Sequence, residues 1–530
     1  MIDRHDNDTL LLLNTLIKAR SDSATPYEKN FEQIILSEIQ SIPYFGQNPN
    51  FFGASQIPGD PLERSVVWAI SHRDALKTVI LFGHHDTVDL SCYGTLDGLD
   101  SIGLLNFFRT QNPNLEMDAL EGDWIFGRGS CDMKAGLAIN LTQLRQSTVE
   151  DMGVNLVFIS VPDEETQSAG MRHAVNVLTD LKKQYHLKYE VAVLTEPHDR
   201  CEKDQFNIST GSVGKMMPVI LTKGMPSHSG IAYSGLNSIS IAMEIIKAIE
   251  LNTEMGDSIN KRMTPPPAFL SLYSIKEKYD VTTPEFTVAY FNWLYLKGNL
   301  PGKFEQLREL CKWSVEDAIN QFNYSYNEYL RKQALPSYRE CMDFNFEILL
   351  YDELVDRVRL KVDIDLLYKN LRSEHPSMPA QEFTVFVMTK LVDLLDAHYP
   401  IIVIGLLPPF YPVVDSSEYF ENSLKEGVET KLRSLDLRLA QTNYFMGISD
   451  MSYMKKMAHD PSAILKHMPL FSNEYKLDFG AISALDVEVL HIGPWGKDLH
   501  QRTERVYVKD VIETVPALLK TVFQAVARKD

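Results

Sequence analysis

Short buried strands alternate with helices through the first two hundred residues, and this alternation restricts the fold more than any other feature of the sequence. Four apolar runs have the length of strands, at residues 65–71, 78–83, 155–160 and 190–194. Four segments have helical periodicity, at residues 10–18, 25–41, 133–147 and 169–183. Strands that alternate with helices form a mostly parallel sheet covered by helices. The sequence therefore predicts a three-layer α/β domain.

A different pattern interrupts this domain. Residues 215–222 look like an exposed strand, residues 239–251 look helical, and a long stretch rich in Tyr, Phe and amphipathic helix follows. Predicted helices and strands of the first kind return at residues 418–435, 437–444, 487–492 and 511–528. We predict one α/β domain made of residues 1–212 and 407–530, interrupted by an inserted α+β domain at residues 213–406.

Composition excludes several classes of protein. The net charge of −19 argues against a nucleic-acid partner, whose phosphates require a basic surface. No run approaches the ~20 apolar residues of a membrane span, and charged residues beside the apolar run at residues 10–13 argue against a signal peptide. The five cysteines are scattered without a C-x-x-C pair, which favours a reducing cytoplasm.

Five polar motifs follow one another along the chain, most of them directly after a predicted strand. They are GHHDTV at residues 83–88, GRGSCDMKAG at 127–136, PDEE at 162–165, LTEP at 194–197 and GPWGKDLHQRTE at 493–504. Each motif alone is a weak signal. Because ligands bind at the carboxyl ends of parallel strands, and because divalent cations prefer imidazole and carboxylate ligands, the series as a whole predicts a metal site.

These motifs resemble those of the co-catalytic zinc aminoacylase and carboxypeptidase family, peptidase family M20, which includes succinyl-diaminopimelate desuccinylase and bacterial dipeptidases. That family carries G-H-x-D-x-V, G-R-G-x-x-D-x-K-x-G, D-E-E, E-P and a late G-P…H-x-x-x-E in this order. The resemblance implies a zinc-exopeptidase-like catalytic domain with an inserted lid domain. The large middle region and residues 408–410 and 493–498 resemble more narrowly the branch that contains the arginine-utilisation protein RocB.

The resemblance also implies the metal ligands. His84, Asp132 and Glu196 would hold one divalent ion, and Asp132, Glu165 and His500 would hold the other, so that Asp132 bridges the two. The mixture of histidine and carboxylate favours zinc, although manganese or cobalt would fit the same ligands.

Three further residues receive catalytic roles from the resemblance. Asp86 would accept a hydrogen bond from the second ring nitrogen of His84. Glu164 would be the general base that takes a proton from the attacking water. His228, in a loop of the inserted domain, would stabilise the oxyanion of the tetrahedral intermediate, although a plain turn histidine on an exposed loop is the alternative.

Substrate contacts are less sharply indicated. Asn237, Ser449 and Asp450 match positions that line substrate pockets in the resembling family. Many relatives hold the substrate carboxylate with an arginine on a lid strand, where this chain has Asn292, which offers no guanidinium group. Another group such as Lys497 or Arg505 would then have to bind that carboxylate.

Two histidines compete with the predicted ligands. His85 is adjacent to His84, but successive side chains of a strand point to opposite faces, and Asp86 shares the side of His84. His491 lies inside an apolar strand, where a hydrogen-bonded core histidine is the more common situation. We therefore retain His84 and His500 as the predicted ligands.

The sequence thus predicts a metal-dependent hydrolase that cleaves an N-acyl, peptide or ureido bond in a small amino-acid-derived substrate. The resemblance to the RocB branch suggests arginine, ornithine or citrulline catabolism, and it leaves open a homodimer through the inserted domain, which the long insertion could equally block. The competing hypothesis is a catalytically silent binding or regulatory protein on the same scaffold. The presence of all five ligands together with Asp86 and Glu164 argues against it.

Overall fold

The computed structural model describes residues 7–111, 123–259, 262–276, 278–333 and 342–528. The chain forms two units. Unit 1 consists of Met1–Val213, Pro412–Met457 and Leu477–Asp530, and unit 2 consists of Gly214–Tyr411 and Ala458–Lys476.

The elements are numbered here in chain order. The strands are β1 Phe52–Gln56, β2 Ser65–Ser71, β3 Thr78–His84, β4 Trp124–Phe126, β5 Asn155–Val161, β6 Tyr189–Leu194, β7 Gln205–Ser209, β8 Gly211–Ser212, β9 Gly214–Lys223, β10 Ser258–Ile259, β11 Arg262–Met263, β12 Ala268–Ile275, β13 Phe286–Tyr295, β14 Glu347–Leu350, β15 Ile401–Tyr411, β16 Val414–Asp415, β17 Arg438–Thr442, β18 Glu488–His491, β19 Gly496–Lys497 and β20 Arg505–Tyr507. The α-helices are α1 Asp8–Lys18, α2 Pro26–Gln40, α3 Pro43–Gln47, α4 Ser101–Gln111, α5 Lys134–Ser147, α6 Ala169–Gln184, α7 Ser238–Ile249, α8 Leu300–Lys332, α9 Tyr351–Val358, α10 Ile364–Glu374, α11 Ala380–Asp393, α12 Ser417–Ser423, α13 Lys425–Ser434, α14 Ser462–Leu465, α15 Phe479–Leu485 and α16 Val515–Arg528.

Unit 1 is built on an eight-stranded sheet with the strand order β1-β2-β5-β3-β6-β18-β7-β17. The pairs β5–β3, β3–β6, β6–β18 and β7–β17 are parallel. The pairs β1–β2, β2–β5 and β18–β7 are antiparallel. The prediction of a mostly parallel α/β sheet is confirmed, with antiparallel pairing concentrated on the side of β1 and β2.

Helices cover both faces of this sheet. Val79 and Leu81 of β3 belong to a core shared with α1, α2, α5 and α16. Ile80 and Phe82 point to the opposite face because side chains alternate along a strand, and they are also fully buried. Helix α6 packs against β2 and β5 outside the first core. The result is the predicted arrangement of three layers.

Local signals explain where the first helices begin. The Asn7 side chain accepts hydrogen bonds from the backbone N–H groups of Thr9 and Leu10 at the start of α1. At the start of α2, Thr25 caps the helix and Pro26 occupies its first position. Both arrangements satisfy or remove backbone donors that have no partner inside a helix.

Unit 2 contains a five-stranded sheet with the order β12-β13-β9-β15-β14, in which only β14 and β15 pair in parallel among the described strands. The sequence suggested that strand β9 is exposed, and this prediction is wrong. The strand is buried along nearly its whole length. The reason is its central place between β13 and β15, together with helices α7 and α11, which pack against it. The mixed strands and helices agree with the expected α+β insertion.

The boundaries of unit 2 differ from the predicted insertion. Strand β15 extends to Tyr411, and its pairing with β9 is interrupted between Leu407 and Tyr411, where Pro408 and Pro409 have no N–H to donate. The segment Ala458–Lys476, which the sequence places in the α/β domain, belongs to unit 2. Its His467 carbonyl accepts the Leu406 N–H at 2.9 Å, which anchors the segment to β15.

One property holds for every helix in the described ranges: none is long and apolar enough to cross a membrane.

Candidate metal centre

Three parallel strands of unit 1 bring the first motifs to one edge of the sheet. Strand β3 lies between β5 and β6, with His84 opposite Val161 and Phe82 opposite Leu194. His84 is the last residue of β3, Glu164 and Glu165 follow β5, and Glu196 follows β6. Their side chains therefore meet beyond the carboxyl ends of adjacent strands, where α/β sheets bind ligands.

Asp132 lies between two histidines. It precedes α5, and its Oδ1 lies 3.1 Å from His84 Nε2, whereas its Oδ2 lies 3.2 Å from His500 Nε2. The two histidines are far apart in the sequence, since His84 ends β3 and His500 belongs to the loop between β19 and β20. Each carboxylate oxygen thus faces a different imidazole, which is the geometry required of a bridging ligand.

The remaining carboxylates complete two groups. Glu196 Oε1 lies 3.6 Å from His84 Nε2, and Glu165 Oε1 lies 3.2 Å from His500 Nε2. Tetrahedral zinc with bonds of 2.0–2.2 Å separates neighbouring ligand atoms by about 3.3–3.6 Å. Although it is buried, Glu165 Oε1 accepts no well-aligned hydrogen bond within the described residues. The donor set and its spacing therefore fit two divalent ions.

Burial dominates the electrostatics of the cluster. It raises the pKa values of Glu164, Glu165 and Glu196 above the ordinary range of glutamate. The pKa of Asp132 is lowered instead, because the hydrogen bonds from His500 and His84 outweigh the effect of burial. Several carboxylates confined together need a compensating positive charge, which divalent cations would supply.

Asp86 supports the centre in a different way from the one predicted. His84 Nδ1 donates to the backbone carbonyl of Asp86 at 3.0 Å, while the nearest carboxylate oxygen is 3.7 Å away. The carboxylate instead accepts the N–H groups of Glu164 and Glu165, each at 3.1 Å, and the Ser23 hydroxyl at 2.7 Å. Asp86 therefore fixes the His84 ring through its backbone and the Glu164–Glu165 peptide through its side chain.

Comparison with known proteins agrees with this geometry. The profile of Peptidase family M20/M25/M40 matches residues 81–524, which includes every motif that supplies a candidate ligand. The chain belongs to this family. The M20 resemblance inferred from the motifs is confirmed, and so is the expectation of a metallopeptidase-like hydrolase.

Two relatives match over nearly the whole chain. Uncharacterized protein YqjN of Bacillus subtilis is 29% identical over 536 residues, covering 99% of this chain and 97% of the relative. Protein RocB of the same organism is 25% identical over 533 residues, covering 96% and 93%. Among solved structures, the M20 family metallo-carboxypeptidase Sso-CP2 from Sulfolobus solfataricus has a TM-score of 0.55 at 13% identity, covering 98% of this chain and 99% of that one.

The two competing histidines, His85 and His491, have other partners within unit 1. His85 Nδ1 lies 2.9 Å from the Ser160 hydroxyl, and its ring stacks on Phe31. His491 Nε2 donates to the Glu196 carbonyl at 2.7 Å. Burial lowers the pKa of His85 to about 3 and that of His491 to about 4, so both rings are neutral near pH 7.

A buried ion cluster, without a sequence motif, supports the Asp163–Glu164–Glu165 turn. Arg64 Nη1 lies 2.6 Å from Asp163 Oδ1 and 2.9 Å from Glu28 Oε2, and Glu28 also accepts the Asp163 N–H at 2.9 Å. Asp163 has a φ of 71°, a conformation that few non-glycine residues adopt without such support. Glu28 and Arg64 lie far from the motifs in sequence, so no pattern indicated them.

Four other residues with predicted or alternative roles lie in unit 1. The Ser449 hydroxyl accepts the Met451 N–H at 3.2 Å, which makes Ser449 a helix cap. Asp450 is 1% exposed, and burial raises its pKa to about 7, with His84 and Asp86 among the charges acting on it. Arg505 pairs with Asp498, and Lys497 lies 4.6 Å from the centre of the Trp124 ring, so both cations have structural partners.

His228, Asn237 and Asn292 belong to unit 2. His228 is exposed and its Nδ1 accepts the Gly230 N–H at 3.0 Å, whereas the Asn237 side chain caps α7 by accepting the Ile239 N–H at 3.0 Å. Asn292 lies on β13, and its buried Oδ1 has no hydrogen-bond partner within the described residues. Their contribution to catalysis stays a prediction.

Proposed function

We propose that this M20 hydrolase cleaves an amide-type bond, of the N-acyl, peptide or ureido kind, in a small amino-acid-derived substrate with the help of two divalent metal ions. Zinc is the favoured metal, and manganese or cobalt would suit the same ligands. The observation that carries the proposal is the position of Asp132, whose two oxygens face His84 and His500 separately at 3.1 and 3.2 Å.

Each residue of the centre has one task in this mechanism. His84, Asp132 and Glu196 would hold one ion, and Asp132, Glu165 and His500 the other. The ions would polarise the substrate carbonyl and lower the pKa of a water molecule. Glu164 lies in a group with His84 and Glu196 whose ligand atoms are all within 4.8 Å of one another, and it is only partly buried. It takes the proton from the attacking water and passes it to the leaving nitrogen.

The backbone and side chain of Asp86 hold His84, Glu164 and Glu165 in the positions that these tasks require. The Asp86 carbonyl accepts the Nδ1 proton of His84, which leaves Nε2 with its lone pair toward the metal. The Asp86 carboxylate holds the peptide between Glu164 and Glu165, so the base and a ligand cannot shift independently. His228 is proposed, from the family resemblance, to donate to the oxyanion.

For the substrate class we propose a derivative of arginine, ornithine or citrulline. The likeness to Protein RocB over 96% of the chain supports this choice, together with the resemblance of residues 408–410 and 493–498 to its branch. The scaffold alone does not select among N-acyl, peptide and ureido bonds, because the same attack applies to each carbonyl.

Metal content and turnover on one preparation test the proposal. The protein is stripped with a chelator, and metal equivalents are measured by elemental analysis as zinc, cobalt or manganese is returned. Each state is then assayed against N-acyl-amino acids, dipeptides and citrulline derivatives. About two equivalents with metal-dependent release of an amine are expected. Absence of metal binding and of turnover with every metal would favour the silent binding protein instead.

We also propose a homodimer formed through unit 2. Strand β12 is an edge strand of the described sheet, and its Leu270 and Leu272 side chains are 56% and 49% exposed. An edge strand with exposed apolar side chains can pair with a second copy. Light scattering on the wild type and on a Leu272→Lys variant tests this, and a monomeric wild type would contradict it.

The proposed location is the cytoplasm. Cys92, Cys131, Cys201 and Cys311 are all unpaired thiols, as expected in a reducing compartment. Fractionation of the producing cells would test this assignment.

A further inference from the structure

One buried ion pair touches the backbone on both sides of the candidate metal centre. Arg128 Nη1 pairs with Glu504 Oε2, and the two residues are 1% and 0% exposed. Arg128 belongs to the GRG motif after β4, and Glu504 immediately precedes β20, the partner of β4. The resemblance assigned neither side chain a role.

Glu504 holds the bridging side of the centre. Its Oε1 accepts the backbone N–H groups of Cys131 and Asp132, each at 3.3 Å, and the Cys131 thiol contacts the same oxygen at 3.7 Å. Because one oxygen accepts both N–H groups, it fixes the peptide that precedes the Asp132 side chain. Glu504, which lies 372 residues after Asp132 in the sequence, thereby orients the bridging carboxylate.

Arg128 holds the loop that carries His500. Its Nη2 donates to the His500 carbonyl at 3.2 Å, and its Nε donates to the Asp89 carbonyl at 3.2 Å. The His500 ring is 48% exposed in its side chain, and its backbone has a φ of 63°. Because the ring is only half covered by neighbours, its position depends on how the backbone beneath it is held.

We propose that the Arg128–Glu504 pair is a positioning element that sets the separation of Asp132 and His500, and with it the affinity for the ion held by Asp132, Glu165 and His500. This inference rests on the proposed two-metal function. Neither residue coordinates metal or contacts substrate in this role, because both act through backbone groups of the ligand-bearing segments. The planar guanidinium matters because one group must reach Glu504 and the His500 carbonyl together.

The matched control is a second buried ion pair of the same unit. Arg200 Nη2 pairs with Asp510 Oδ2, with side-chain exposures of 2% and 1%. Asp510 accepts the Trp495 N–H at 2.9 Å and interacts with Thr514. Asp510→Asn thus removes one charge from an equally buried pair whose partners are not predicted ligands.

Stepwise cobalt binding to the metal-free protein tests the proposal, measured by calorimetry and by the visible absorption of the bound ion. Glu504→Gln is expected to weaken one of the two binding steps by about 10- to 100-fold, and to leave the other step near its wild-type value. The visible spectrum of the weakened site should change as well. Asp510→Asn should bind both ions as the wild type does.

Arg128→Lys provides a second variant if Glu504→Gln does not fold. A lysine keeps a positive charge beside Glu504 but cannot contact Glu504 and the His500 carbonyl together as the planar guanidinium does. Weakening of the same binding step is therefore expected. Wild-type affinity at both steps in either folded variant overturns the proposal, as does equal weakening by Asp510→Asn. A wild-type protein that binds no cobalt overturns the proposed function and this inference with it, whereas two normal sites in Glu504→Gln overturn this inference alone.

Discussion

Glu164 differs from Glu196, the carboxylate predicted to hold the first ion, in its surroundings. Its backbone N–H is held by Asp86 Oδ1 at 3.1 Å, and the residue is partly exposed, whereas Glu196 is buried. A group that must exchange protons with a reacting water benefits from a fixed backbone and an accessible carboxylate. The distinction between base and ligand is therefore made by position and not by residue type.

Glu164→Gln is predicted to lower kcat by about 10²- to 10⁴-fold, because the amide cannot accept the proton of the attacking water. Metal content should stay at the wild-type value, since the five predicted ligands are intact. Steady-state kinetics with elemental analysis of the same sample measure both quantities. Glu426→Gln, at an exposed position of α13, is the control and should leave both unchanged. A fully active Glu164→Gln variant would remove Glu164 from the mechanism.

Arg64→Ala is predicted to destabilise unit 1 by about 3–5 kcal/mol, because it leaves buried Glu28 and Asp163 without their cation. Urea unfolding measures the loss. Arg438→Ala is the control, because Arg438 and its partners Glu202 and Asp204 are exposed, and its unfolding midpoint should stay at the wild-type value. A small effect of Arg64→Ala would mean that the buried carboxylates are protonated or hydrated without it.

The residues that sequence patterns could identify are those with fixed chemical neighbours along the chain. His84, Asp132, Glu165 and His500 stand in motifs, and the structure does bring them together. The acceptor for His84 Nδ1 was misjudged, because a motif does not distinguish the carbonyl of Asp86 from its carboxylate. Arg64 and Glu28 were beyond reach, since only the folded sheet makes them neighbours of Asp163.

At the scale of elements, strands β6 and β18 approach each other closely where they leave the sheet. A Cβ placed on Gly493 would lie 1.6 Å from the Glu196 carbonyl oxygen and 2.6 Å from its carbonyl carbon. Both are backbone atoms, so no side-chain rotation can relieve the overlap. The strand ends must therefore separate if any other residue replaces this glycine.

Gly493→Ala is predicted to displace Glu196 and to weaken metal binding together with a loss of stability of roughly 1–3 kcal/mol or more. Calorimetric metal titration and thermal unfolding of the variant measure the two effects. The control is Gly46→Ala in α3, where a Cβ would meet nothing within 4 Å. That substitution should be neutral or slightly stabilising, because alanine favours helix. Normal metal affinity in Gly493→Ala would contradict the close approach.

The segment after α14 gives unit 2 a dependence on pH. His467 is 2% exposed, its ring stacks on Phe304 of α8, and its Nδ1 lies 3.0 Å from Asp352 Oδ1. Burial lowers the pKa of His467 to about 4, although Asp352 opposes the shift and Lys466 adds to it. The folded protein thus keeps this ring neutral at a pH where an unfolded chain would protonate it.

Unit 2 is predicted to lose stability as the pH falls from about 6.5 to about 4, since the unfolded state binds the proton of His467 first in that range. The contribution is at most roughly 3 kcal/mol. Urea unfolding of the wild type and of His467→Gln across this range should show a flatter dependence in the variant. His398→Gln, at an exposed position, should follow the wild type. Identical slopes in wild type and His467→Gln would exclude this histidine as the cause.

Element types were easier to predict than element neighbours. The alternation of apolar runs located β2, β3, β5 and β6 within one or two residues. It could not show that β9 is central and buried, because a strand with two paired edges and one with a free edge have similar sequences. The predicted helix at residues 418–435 is interrupted at Leu424, where α12 ends and α13 begins after it.

At the scale of the whole molecule, the candidate ligands come from segments spread between His84 and His500, all within unit 1. Ions bound there would join five separate segments of the chain, and they would offset the repulsion among buried carboxylates. The segment Ala458–Lys476 could not be assigned to unit 2 from sequence. Its contacts with β15 and α9 join residues that are distant in sequence and form only when the chain folds.

Chelation is predicted to destabilise unit 1 and to leave unit 2 unchanged. A ligand that binds the folded state alone at 100 times its Kd stabilises it by about 2.7 kcal/mol, and this is lost when the ion is removed. Hydrogen exchange with and without chelator separates the units, since peptides from β3, β5 and β6 should lose protection and those from β9 and β13 should not. A uniform loss across both units, or none, would contradict the assignment of the ions to unit 1.

Strand β18 lies between β6 and β7 in the sheet, although it follows β7 by more than half of the chain. Synthesis proceeds from the amino terminus, so β6 and β7 leave the ribosome long before the strand that separates them. Until residues 438–442 and 488–491 have been made, β6 is therefore an edge strand and β7 lacks both of its partner strands. Unpaired strand edges can pair wrongly with other chains, so β6 and β7 expose the newly made protein to mispairing during that interval.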